Sequence, residues 1–273
     1  MLVCSELNAA YGSVPCLRNV SLTVMSGTVL ALAGANASGK STLARCLCGA
    51  QDAQSGSIGV DGEAADAALL RASVGLVSQD ADRQLFAKTA FDDVAFGLRN
   101  GGLPEDEVEK RVRRALACVN LDADTARDRS PQDYSGGQRR RLAIAGILVL
   151  NRRYMLFDEA DAGLDPHERS SLADLVRNLA HSGTGVLVIS HDLEFVGRVA
   201  DDVALLGGGR IVARGPKRQI MGDLALLERA GLRAAPLASI AIRLAALGVE
   251  GLDPCAPPHA LAAQIARAWR ERS

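Results

Sequence analysis

The stretch Gly34 to Thr42, GANASGKST, fits the spacing G-x-x-x-x-G-K-[ST] and lies between an apolar strand-like run, Val29 to Ala33, and a stretch of helical spacing. The pattern has a geometric logic. Glycine at Gly34 and Gly39 lets the loop curl so that backbone N–H groups through Ala35, Asn36, Ala37 and Ser38 point at phosphate oxygens, while the following helix presents its positive end. Lys40 is then expected to reach the β- and γ-phosphates of a nucleotide, and the hydroxyl of Ser41, beside Thr42, to ligate Mg²⁺. The alternative, a glycine-rich turn entering a helix, is disfavoured by the strand before it.

Three further groups have suitable types and spacing. Ser135-Gly136-Gly137-Gln138 follows Tyr134 and opens another long helix, so one chain owns two helix N-termini suited to anions, about a hundred residues apart. YMLFDEA, residues 154–160, carries Asp158 to the end of an apolar run with Glu159 beside it, and VISHD, 188–192, ends on His191. An Asp-Glu pair at a strand end is by itself a solvated turn, and a lone histidine is usually structural, the reading given to His167, His181 and His259. The phosphate loop alone leaves kinase and GTPase chemistry open.

Positioning these groups requires a sheet. Strand-like runs at Val29 to Ala33, Ser73 to Val77, Tyr154 to Phe157 and Gly185 to Ser190, with a helix at 166–181, have the βαβ rhythm of a parallel sheet. Short strands with turns are expected over 1–33 and at 56–62, and two more near 203–206 and 210–213. The block of about 82–150 reads as mainly helical, with the stretch from Pro104 carrying acids early and bases late. After about 222 the composition shifts to Ala, Leu and Arg with prolines, as in a small helical module.

Bulk properties bound the classes. In 273 residues, 48% apolar content is ample for a large core, and 31 basic against 32 acidic residues give no pull toward nucleic acid. The six cysteines show no CxxC pair, so neither a zinc site nor a disulfide framework is expected. The beginning, MLVCSELNAAYG, lacks a basic segment followed by an apolar run, so no secretory signal is expected and the reducing cytosol is the expected compartment. The apolar run Leu142 to Leu150 falls well short of the roughly 20 residues that cross a bilayer. Work at a membrane would need spanning helices from another chain.

SGGQ is the signature sequence of ATP-binding cassette ATPases, and the chain resembles that family, with Tyr134 where leucine more often stands. The resemblance covers roughly residues 2–220. It implies an α/β fold: a P-loop NTPase (RecA-like) core with an antiparallel β subdomain, a helical signature subdomain at about 82–150 and, beyond residues 1–222, a C-terminal helical module at 223–273. It implies ATP hydrolysis with Mg²⁺: Asp158 and Ser41 on the metal, Glu159 as the base for the attacking water, and His191 touching the γ-phosphate. Gln79, ending VGLVSQ, matches the glutamine that approaches metal and water, and Tyr11 the aromatic that stacks on adenine. AGLD, 162–165, looks like the loop whose aspartate, Asp165, contacts the partner in a dimer. Two such cores clasp head to tail, so Ser135, Gly136, Gly137 and Gln138 serve the other chain's nucleotide. Two departures stand out: Ala37 occupies a position where glycine is common, and Glu159 is followed by Ala-Asp rather than Pro-Thr.

Within the family the chain narrows further. Chromosome and repair members carry long coiled coils and translation members two cassettes, and neither is present. QDADRQLFAKTAFDDVAFG, Gln79 to Gly97, holds three of the five phenylalanines and resembles the energy-coupling-factor importers and the cobalt and nickel uptake ATPases. This implies an importer motor, peripheral on the cytoplasmic face of the membrane, working with a second ATPase subunit, identical or not, a transmembrane coupling subunit and a substrate-binding membrane subunit, for a vitamin or transition-metal ion. A soluble ATPase with a regulatory role stays open beside it. Asp80 to Gln84 is expected to form an exposed lip and Leu85-Phe86 an apolar contact for a membrane subunit, with Phe91 and Phe96 anchoring the helical block from inside. In the tail, Leu261, Ile265 and Trp269 form one apolar stripe, for which core packing and dimer contact are equally open.

Overall fold

The computed structural model describes residues 1–12, 14–80 and 84–270, and the side chain of Tyr11 lies outside what it describes. The chain opens with a long antiparallel pair, β1 (Leu2–Tyr11) and β2 (Val14–Val24), rather than the short strands expected. Bulges keep these strands continuous: Glu6 and Asn19 take left-handed φ of 51° and 56°, and the Asn8 side chain ties them by donating to the Glu6 carbonyl and accepting from the Asn19 N–H. Next comes β3 (Val29–Ala33), buried at every position, as an unalternating apolar run must be in a sheet covered on both faces. Past the loop at 34–39 follow α1 (Lys40–Leu47), β4 (Ser55–Val60), β5 (Glu63–Ala64), α2 (Ala67–Ser73) and β6 (Val74–Val77).

The helical block comprises α3 (Ala90–Asn100), α4 (Glu105–Cys118), α5 (Ala123–Asp128) and α6 (Gly136–Leu148). In α3, Phe91, Val94, Ala95 and Leu98 line the buried face, and Thr89 caps the first turn by accepting from the Asp92 N–H. A five-residue step turns roughly 140° around a helix, so Phe96 leaves that face. It is 47% exposed, and its ring meets that of Phe86 edge-on at 4.8 Å. Helix α4 has its acids in the first turn but no base in the last; Lys110, Arg111 and Arg113 instead reach back four residues to Asp106, Glu107 and Glu109.

The remainder alternates β7 (Tyr154–Asp158), α7 (Pro166–His181), β8 (Gly185–Ile189), α8 (Leu193–Val199) and β9 (Asp202–Gly207), then turns back in β10 (Arg210–Pro216). Two sheets result, one ordered β2-β1-β4-β5 and antiparallel, the other ordered β10-β9-β3-β8-β7-β6 and parallel except for β10. In the parallel sheet Leu32, Ile189 and Asp158 lie level across β3, β8 and β7. Hence the loops leaving these three strands open side by side at the carboxyl edge, where α/β sheets take their ligands.

The tail holds α9 (Lys217–Met221), α10 (Leu224–Arg229), α11 (Pro236–Ala246) and α12 (Pro258–Arg270). Leu227 and Ala230 share an apolar cluster with Ala31 and Ala33 of β3, and the Ala230 carbonyl accepts from the Ala35 N–H at 3.1 Å, so this segment braces the start of the phosphate loop. The expected stripe on α12 divides: Leu261 and Ala268 are buried, Ile265 is half-buried and Trp269 is 73% exposed. Among the described residues no helix is long and apolar enough to cross a membrane.

Candidate functional site

The loop after β3 is held by close backbone approaches. A side chain on Gly34 would overlap the Leu206 carbonyl, and one on Gly39, at φ 106°, would come within 2.5 Å of the Cys16 carbonyl. Ala37 adopts a left-handed φ of 61°, a conformation that costs an L-residue roughly 1–2 kcal/mol. Asn36 and Ala37 are exposed while Ser38 and Lys40 are buried. The Lys40 ammonium folds back onto the carbonyls of Gly34 and Ala35, at 2.9 Å each. Burial pushes its pKa down, and the charges of Glu159 and Asp158 oppose that shift. The N-cap of α1, Gly39, supplies no side-chain acceptor, and among the described residues the buried Ser38 hydroxyl has no partner. Donors are thus gathered at the helix N-terminus, the arrangement that receives an anion.

The acids stand beside this loop. Asp158 is 7% exposed and, among the described residues, its Oδ1 lacks a partner. Burial pushes the carboxyl's pKa up, and the neighbouring Ser41 hydroxyl partly offsets it. A buried carboxylate with an orphaned oxygen beside a hydroxyl is a donor set that fits a hard divalent cation. Glu159 adopts φ 50°, fixed by its N–H donating to the Ile189 carbonyl at 2.9 Å, and its Oε1 lies 3.6 Å from Nδ1 of the half-exposed His191. Gln79 is exposed in the turn after β6.

The second anion-suited terminus is also built. Ser135 caps α6 reciprocally, its Oγ accepting from the Gln138 N–H at 3.3 Å and its own N–H donating to Gln138 Oε1 at 3.0 Å. Ser135 and Gly136 are exposed, and a side chain on Gly136 would meet nothing within 4 Å, whereas one on Gly137 would strike the Glu168 carboxylate. Tyr134 is buried beneath the Arg129 guanidinium, which lies 4.3 Å from its ring centre. Asp165 caps α7 by accepting from the Glu168 N–H at 2.8 Å.

The fold thus gathers Lys40, Ser41, Asp158, Glu159 and His191, and presents Ser135 and Gly136 on an open surface. The expectation for Tyr11 falls on a side chain outside the described residues, as do positions 81–83 of the expected lip. Leu85 is 8% exposed and packs in the main core, unlike the contact expected of it, while Phe86 is 65% exposed. Phe86 is held out because the Asp93 carboxylate accepts from the N–H groups of Phe86 and Ala87. Motif reading overlooked Arg140, which donates to the carbonyls of Ala162 and Glu159 at 2.6 and 2.9 Å, and the buried pair Asp161 and Ser190. The unusual Ala-Asp after Glu159 was the available signal.

A model of the family described as ABC transporter matches residues 17–162. The energy-coupling factor transporter ATP-binding protein EcfA of Methanothermobacter thermautotrophicus is 37% identical over 92% of this chain and 82% of its own length. The cobalt import ATP-binding protein CbiO of Rhodobacter capsulatus is 39% identical over 100% of this chain and 99% of its own. Among solved structures, cbiO1 of Clostridium perfringens, part of the ABC transporter complex cbiONQ, superposes with a TM-score of 0.74 at 31% identity over 90% of this chain and 96% of that one. The dimeric cassette MJ0796 gives a TM-score of 0.72 at 25% identity over 80% of this chain and 99% of its own.

Proposed function

This chain belongs to the ABC transporter family and is an ATPase, and from that premise we propose that it is the motor subunit of an energy-coupling-factor type importer for a vitamin or transition-metal ion. The observation that carries the reading is the 39% identity to a cobalt import ATP-binding protein over the whole of this chain, C-terminal helices included. In this reading residues 1–222 form the ATPase core and 223–273 its accompanying module, and the chain sits peripherally on the cytoplasmic face of the membrane.

In this reading Lys40 exchanges the carbonyls of Gly34 and Ala35 for the β- and γ-phosphates of ATP, and loop N–H groups with the Ser38 hydroxyl take further phosphate oxygens. Ser41 and Asp158, assisted by Gln79, would hold Mg²⁺, which when bound neutralises phosphate charge. Glu159 accepts the proton of the attacking water, and His191, at 3.6 Å from it, orients toward the γ-phosphate. Tyr11 stacks on the adenine. Ser135, Gly136, Gly137, Gln138 and Asp165 serve the nucleotide bound by a second ATPase subunit, so each chain supplies half of two sites. ATP bridges the two halves, and hydrolysis with phosphate loss releases them, a ligand-driven shift between closed and open dimers. The exposed Phe86–Phe96 pair supports a docking point for the transmembrane coupling subunit, beside which a substrate-binding membrane subunit selects the cargo.

Pull-down of the tagged chain from native membranes tests this. Co-purification of a polytopic coupling chain with a small membrane-embedded binding chain is the expected result; recovery of the ATPase without any membrane chain favours the regulatory alternative.

A further inference from the structure

We propose that Asp161 is a positioning residue for ATP hydrolysis, fixing through Ser190 the loop that carries His191 against the loop that carries Glu159. The proposal rests on the roles given above to Glu159 and His191. Asp161 is 3% exposed and Ser190 is fully buried. The Ser190 hydroxyl donates to Asp161 Oδ2 at 2.7 Å and accepts from the Asp192 N–H at 3.0 Å, so it is used in both directions. His191 lies between these two anchored residues. With its neighbours fixed, its half-exposed ring is delivered to the Glu159 carboxylate.

The surroundings hold the rest of the frame. Asp192 accepts from the N–H groups of Glu194 and Phe195 and pairs with Arg169 at 2.9 Å, which anchors the far side of the histidine loop. Arg140 holds the Glu159 and Ala162 carbonyls, which anchors the loop on either side of Asp161. The hydrogen bond from Ser190 to Asp161 is therefore a side-chain tie between two loops that are each pinned separately, and it adds to the backbone bond from the Glu159 N–H to the Ile189 carbonyl. A buried carboxylate is an expensive choice for a purely structural position, since burial disfavours its charged form. It is suited to a place where a fully buried hydroxyl would otherwise lack an acceptor and the geometry of two reacting groups depends on it.

The test measures kcat and KM for ATP in the full chain and in Asp161→Ala, Asp161→Asn, His191→Ala and the double variant Asp161→Ala/His191→Ala. A loop displaced by a fraction of an ångström is expected to lower kcat of Asp161→Ala roughly tenfold with KM within about twofold. Asp161→Asn keeps an acceptor oxygen and should stay within about threefold of the parent. Because Asp161 acts through His191, the double variant should match His191→Ala within about threefold. Parental kcat in Asp161→Ala, or a further tenfold loss in the double variant, overturns the proposal. A parental rate in His191→Ala alone overturns the reading of His191 itself, and that single variant tells the two failures apart. Should Asp161→Ala fail to fold, Ser190→Ala removes the same hydrogen bond from the other side and carries the same expectations.

Discussion

Ala37 carries a conformational cost in the middle of the phosphate loop. At φ 61° glycine relieves about 1 kcal/mol of backbone strain, offset in part by the greater freedom of the unfolded chain. Ala37→Gly is expected to raise Tm by about 1–3 °C while leaving KM for ATP within about twofold; a fall in Tm would contradict the strain. Asp61 is the other residue whose environment makes a measurable statement. The N-terminal ammonium, the Tyr154 hydroxyl and Arg153 hold its carboxyl well below the ordinary value of 3.8. Because the folded pKa is depressed, the stability it contributes is present above 3.8 and lost as the pH falls below it. Asp61→Asn should therefore lower stability at pH 7, by less than about 1 kcal/mol given the exposure of the carboxylate. The gap to the parent should begin to narrow as melts are taken below pH 3.8 and close only in stronger acid, near the depressed folded pKa, and a gap independent of pH would show that the ionised form contributes nothing.

At the scale of elements, legibility followed the strength of periodicity and capping. Helix α7 matches the expected 166–181, bounded by the Asp165 cap and by Ser182-Gly183, and the apolar runs at Val29, Tyr154 and Gly185 became the three central strands. Helices α2 and α8 were not legible. Each is seven residues long, and α8 buries Leu193, Phe195, Val196, Gly197 and Val199, which leaves only Glu194 and Arg198 as a polar face, too short a stretch to give a helical period. The phenylalanines of α3 show why a spacing needs an element: Phe91 and Phe96 both looked internal, yet the turn of the helix places one in the core and the other against Phe86. Phe86→Ser is expected to leave basal ATPase within about twofold and Tm within about 2 °C, because the ring is exposed. Vesicle uptake with the membrane subunits should nevertheless fall severely. Loss of folding would place Phe86 in the core, and unimpaired uptake would remove it from the coupling surface.

For the whole molecule, residues 34–42, 158–159 and 191 were readable as motifs, but their meeting was not. Residues 34–42, 158–159 and 191 converge because β8 inserts between β3 and β7 and aligns Leu32, Ile189 and Asp158 in one row. Order along the chain does not contain that adjacency. Nor did the motifs announce Asp161, Ser190 and Arg140, whose hydrogen bonds join loops distant in sequence. The exposed Ser135–Gly136 terminus, on a helix capped within its own chain, supports a dimer in which one ATPase subunit completes the phosphate site of the other. The most direct measurement is the mass in solution, with parallel turnover, of Glu159→Gln in ATP and Mg²⁺ and again in ADP. A dimer in ATP, a monomer in ADP, and hydrolysis reduced by roughly a hundredfold or more are expected. Hydrolysis at the parental rate, or a mass indifferent to ATP, would contradict this mechanism.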